Sequence, residues 1–125
     1  MRLRVGLLWI ATALLGAACE DKERAWYNAM RADQAAFELV NDEIAEGYRA
    51  GRISEERIDQ LMVISEQWGA SHNAAVSALL LYHYSKSSTT EQTFLRALLE
   101  ASSIVADLRR AFEQSEGPII TMRTT

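Results

Sequence analysis

The chain has 125 residues, enough for one domain with a modest core. It is 49% hydrophobic and 24% charged with only one Pro and six Gly, which favours long helices over a sheet with many turns. The net charge is −4, and since residues 1–18 carry Arg2 and Arg4, the remainder carries −6; such an acidic body lacks the clustered Lys and Arg that nucleic acid or anionic lipid head groups require.

The N-terminus is ordered as an export signal. Met1-Arg2-Leu3-Arg4 is basic, and Val5 to Ala18 follows as 14 residues without charge. That run falls short of the ~20 residues needed to span a bilayer and suits the apolar region of a secretory signal. It ends in the small residues Gly16-Ala17-Ala18, and the polar chain begins at Glu20. Residues 1–18 are therefore predicted to be a signal helix cleaved before Cys19. Cys19 is the only cysteine, so no intramolecular disulfide can form. An unpaired thiol in an oxidising compartment is a liability unless it is used.

The segment Leu14-Leu15-Gly16-Ala17-Ala18-Cys19 resembles the acceptor region of small bacterial lipoprotein precursors. In that family the cysteine becomes the first mature residue and carries the lipid. The family prefers Leu three residues before the cysteine, where this chain has Gly16; ordinary cleaved secretion is the alternative. The resemblance implies lipidation at Cys19, contact with the membrane through that lipid, and a place in the cell envelope facing the periplasm. It covers the signal region and says nothing of the body. In size and layout alone the chain is also similar to small helical lipoproteins encoded by prophages. The outer subunits of phage spanins are Pro-rich, whereas the only proline here is Pro118.

Residues 19–118 are predicted to form one helical domain. The first helix runs from about Asp21 to Ala50. Trp26, Met30, Phe37, Val40, Ile44 and Tyr48 recur at helical spacing on one stripe, which Asp33 interrupts. Gly51 is the expected stop. Ser54 is the expected cap of the second helix, with Glu55 and Glu56 at its positive end and Ile53 and Ile58 placed as a hydrophobic staple. That helix runs to about Tyr84. Its stripe is Ile58, Leu61, Trp68, Ala75, Leu79 and Tyr82, with Ser65 and His72 at the two missing positions. Ala70, Ala74 and Ala78 form a small-residue strip suited to close approach of a neighbour. Lys86 to Thr90 is predicted as a loop, with Ser88 and Glu91, or Thr89 and Gln92, as a capping box.

The third helix is expected from about Thr90 to Glu116. Its stripe is Phe94, Leu98, Ala101, Val105, Leu108 and Phe112, widened by Leu95, Leu99 and Ile104, with Arg109 on the exposed side. Gly117-Pro118 is the expected stop, and residues 119–125 a frayed tail. The fold class is thus all-α: three long antiparallel amphipathic helices, either an up-down-up bundle or an open helical hairpin completed by oligomerisation.

Few residues invite chemistry. His72 and His83 lie 11 residues apart, ~16 Å along a helix, too far to share one metal. Neither has a Glu three residues before it, and no Cys-x-x-Cys-His motif exists. Asp42, Glu43 and Glu46 cluster without the loop of a calcium site and are expected on a solvated face. No serine has a recognisable base, and no phosphate-binding loop occurs. The chain is not expected to be an enzyme or to hold a cofactor or metal. Trp26 is expected either to close one end of the core or to rest with Tyr27 at the membrane interface. Tyr82, His83 and Tyr84 are the candidate partner contact: Tyr82 and Tyr84 are 200° apart around the helix, so one of them must be exposed. The expected role is binding, with an unidentified envelope protein or a second copy as partner and no nucleic acid. The alternatives are a self-assembling structural protein of the periplasm and, least supported, an enzyme or cofactor carrier.

Overall fold

The computed structural model describes residues 22–124, with side chains described over 22–115. The signal segment and Cys19 lie outside the described residues. Three helices follow one another: α1 Lys22–Arg49, α2 Glu55–Ser85 and α3 Ser88–Thr124. No strand occurs among the described residues.

Both turns are short because side chains and backbone satisfy the helix ends. α1 stops in a Schellman arrangement: Arg52 N–H donates to the Gly47 carbonyl at 2.9 Å and Gly51 N–H to the Tyr48 carbonyl at 3.1 Å. Gly51 has φ +76°, a conformation that costs a residue with a Cβ. Ser54 then caps α2, its Oγ accepting from Arg57 N–H at 3.2 Å. Ile53, the predicted staple residue, is buried against Val40, Ile44 and Leu61. α2 ends at Lys86, which adopts φ 53° and donates its N–H to the Tyr82 carbonyl at 2.8 Å. The cap of α3 is Ser87, one residue before the expected capping box. Its Oγ accepts from Thr90 N–H at 3.2 Å, so the helix starts two residues earlier than predicted. α3 also continues through Gly117-Pro118 to Thr124. Proline's fixed φ is itself helical, and the residue before it, whose Cβ would crowd the ring, is a glycine.

The helices form a closed up-down-up bundle. At one end Trp26 of α1, Tyr82 of α2 and Phe94 of α3 meet, with ring centroids 5.0 Å and 5.3 Å from Trp26. At the other end Val40 and Ile44 meet Leu61, Leu108 and Phe112. α2 and α3 make the most extensive contact, and α1 packs on both. The buried alanines Ala75 and Ala78 of α2 and Ala97 and Ala101 of α3 suit this extensive contact, whereas α1 contributes the larger buried side chains Trp26 and Met30. Gly47 allows one further close approach. A Cβ there would stand 3.0 Å from Ile53 Cδ1.

Several stripe positions differ from expectation. Tyr48 is 40% exposed, because α1 is near its end where Gly47 takes the inward place. Of the strip Ala70, Ala74 and Ala78, only Ala78 is buried; the other two face outward. Leu99 is 50% exposed, 100° around from Leu98, which is 1% exposed. Arg109 is mostly covered and pairs with Glu43 of α1, so neither stands on an open face.

Candidate functional site

Two features stand apart from ordinary core packing. The first is a polar layer across the middle of the bundle. The apolar core is divided into two clusters, one holding Met30, Ala75 and Leu98 and the other Val40, Leu61 and Leu108. On each helix the residues between the clusters include a buried polar one: Asp33 on α1, Ser71 on α2 and Ser102 on α3.

Asp33 is 4% exposed, and its Oδ2 accepts from Trp68 Nε1–H at 3.0 Å. Burial raises its pKa to about 6, against the pull of the Trp68 hydrogen bond. Trp68 is sandwiched. Phe37 stacks on one face at 3.9 Å between centroids and His72 on the other at 4.6 Å. Burial lowers the His72 pKa, and its Nδ1 is buried with no hydrogen-bond partner among the described residues. His72, one of the two missing stripe positions, therefore belongs to this layer. No group of three or more His, Cys, Asp or Glu side chains that could hold a metal ion occurs among the described residues. The layer pairs α1 with α2 through one directed bond, and a directed bond in an apolar core favours one register over its neighbours.

The second feature is the outer face of α2. Residues 67–85 contain no Asp, Glu, Lys or Arg, so this stretch is apolar or neutral on every side. A helix of that kind is normally covered all round. Here only the inner side is covered, and Val76, Leu80, Leu81 and Tyr84 are exposed. No helix among the described residues is long and apolar enough to cross a membrane.

The predicted contact residues Tyr82, His83 and Tyr84 divide among three environments. Tyr82 is half-buried, edge-on to Trp26, and closes the core. His83 is exposed, and its Nδ1 lies 2.9 Å from Glu23 Oε2. Lys86 also pairs with Glu23, and the two partners, Lys86 first, hold the Glu23 pKa below its ordinary value. Tyr84 is 80% exposed and points away from the bundle at the end of the uncharged face. Trp26 is 3% exposed and closes the core, which removes it from the membrane-interface role; Tyr27 is half-exposed, with the Arg31 guanidinium 5.9 Å from its ring centroid. The outer side of α2 could have been read as a second apolar stripe, but the inner stripe accounted for the helix and masked it. Comparison with protein-family models, with curated proteins and with solved structures finds no match for this chain.

Proposed function

We propose that this chain is an exported, lipid-anchored envelope protein that acts by binding another protein and not by catalysis. The observation that carries the reading is the exposed apolar face of α2 ending in Tyr84. An uncovered face of this kind is unfavourable in water and marks a contact surface. Aromatic side chains add large contact area at small entropic cost, which makes Tyr84 the natural anchor. Export and anchoring rest on residues 1–19, where a charge-free run leads directly to the only cysteine. Reaction chemistry has little support. Asp33 is enclosed, and its partner is the Trp68 indole N–H rather than a second carboxylate or a base.

Two measurements test the parts separately. Labelled palmitate is expected to enter the wild-type chain and not Cys19→Ser. Processing without label would replace anchoring by simple secretion. Tyr84→Ala is expected to lose crosslinked partners in envelopes while keeping its helical spectrum and melting temperature. Unchanged partners would remove Tyr84 from the contact.

A further inference from the structure

We propose that α1 is a detachable strap: it parts from the α2–α3 hairpin as a unit, hinged at the Gly51 turn, while the hairpin stays folded. This motion is independent of the binding reading above. The three helices are held unequally. α2 and α3 make the most extensive contact, and α1 packs less extensively on each. The fully buried apolar residues of α1 fall in two groups, Trp26, Ala29 and Met30 near one end and Val40 and Ile44 near the other. Between the groups the buried residue is Asp33. The middle of α1 is thus held by the Asp33–Trp68 hydrogen bond and by half-buried Phe37 stacked on Trp68.

Asp33 also makes closure costly. Its carboxylate exchanges water for the neutral Trp68 N–H, and with a pKa of about 6 it is mostly ionised at pH 7. α2 brings Trp68 and His72 to this layer, and α3 brings Ser102. Burial keeps His72 neutral at pH 7, so none of the three offsets the charge. A buried carboxylate whose partner is a neutral donor is pulled toward water, and parting of α1 returns it there. Several further ties of α1 are ion pairs: Lys22 with Glu91 at 3.5 Å, Glu23 with His83 and Lys86, and Glu43 with Arg109. Those of Lys22 and Glu23 lie at the surface, where such pairs contribute little.

The far end of α1 supplies the hinge. Residues 50–54 join α1 to α2, and a Cβ placed on Gly51 would meet nothing within 4 Å, so the turn has room to move. A few such residues absorb the backbone change of a hinge. α2 does not need α1 for its start, because Ser54 caps it through Arg57 N–H. Nor does the hairpin need α1 for its own contact, which runs directly between α2 and α3. Parting of α1 uncovers Trp68, Leu61 and Phe94, the side chains that Phe37, Val40 and Trp26 now pack against.

The test is hydrogen exchange of the full chain at pH 7, read amide by amide. The amides from Ala29 to Ile44 are expected to share one protection, roughly tenfold or more below that of α2 from Leu61 to Ala78 and of α3 from Leu98 to Leu108. Asp33→Asn keeps an oxygen for the Trp68 N–H and removes the charge, so it is expected to slow α1 exchange on the order of tenfold. Glu23→Gln weakens a surface tie without touching the core. It is expected to speed α1 exchange roughly two- to fivefold and to leave α2 and α3 unchanged. Equal protection in all three helices overturns the proposal. So does fast exchange confined to the ends of α1 with its middle as protected as α2, which is fraying. Glu23→Gln speeding all three helices alike means that the bundle opens as one body and the strap is wrong. Faster α1 exchange in Asp33→Asn overturns the part given to the buried charge.

Discussion

Asp33 and His72 sit in the same layer and push stability in opposite directions as pH changes. The ordinary Asp value is near 3.8 and burial raises it to about 6, so between those values the folded chain binds a proton that the unfolded chain does not. Stability contributed by Asp33 therefore rises as pH falls through that window, and above it the fold carries a buried charge. The gap corresponds to on the order of 3 kcal/mol. His72 has the reverse sign. Its folded pKa lies below the ordinary 6.5, so acid favours the unfolded state and stability is lost as pH drops below that value. The two slopes partly cancel in the wild type and separate in variants. His72→Gln is expected to be more stable at pH 5 than at pH 8, and Asp33→Asn less stable at pH 5 than at pH 8, in denaturant titrations. The same pH dependence in both would show that neither group titrates in the layer as described. A second residue-scale test lies at Gly51, whose φ of +76° has open space around it. Gly51→Ala is expected to cost about 1 to 2 kcal/mol through backbone strain alone, since no contact is made or lost. An unchanged unfolding midpoint would contradict the Schellman turn.

Each helix shows its inner face in its sequence and hides what that face touches. Trp26, Val40, Ile44, Leu61, Phe94, Leu98 and Leu108 were legible as stripe residues and are buried, because a 3.6-residue period needs no knowledge of the neighbours. Adjacent leucines on α3 put that period to a test. Leu98→Ala is expected to cost roughly 2 to 5 kcal/mol as a fully buried large-to-small change, and Leu99→Ala under about 1, measured by thermal or chemical unfolding. Similar losses would mean α3 is rotated from the packing described. The long-range pairs were not legible. Asp33 looked like a defect in a stripe until Trp68, 35 residues away, supplied its donor. Arg109 looked solvated until Glu43 met it from α1. Such pairs are set by how helices are juxtaposed, which periodicity along a single helix does not encode. The cap of α3 was missed for another reason. Ser87, Ser88, Thr89 and Thr90 are all good caps, and the αL turn at Lys86 makes Ser87 the one that fits.

At the scale of the molecule, the bundle closes on itself along α1 and α3 and leaves one side of α2 apolar and open. A single chain of three helices covers little more than the inner side of each, so an outer side without charge is surplus to folding and available for contact. The sequence displayed this surplus as an uncharged run over residues 67–85, yet only the closed bundle shows which side remains open. Tyr82 and Tyr84 illustrate the difference: two residues apart, one closes the core on Trp26 and the other stands in solvent. We propose that this open side is where the protein meets its partner. Photocrosslinking in intact envelopes tests it most directly, with a photoreactive residue placed in turn at Leu81 and Tyr84 on α2, and at Asn28 on α1 and Ser103 on α3, all of them exposed. Defined protein adducts are expected from Leu81 and Tyr84 and none from Asn28 or Ser103. Adducts from Asn28 or Ser103 with none from the two α2 positions would contradict it.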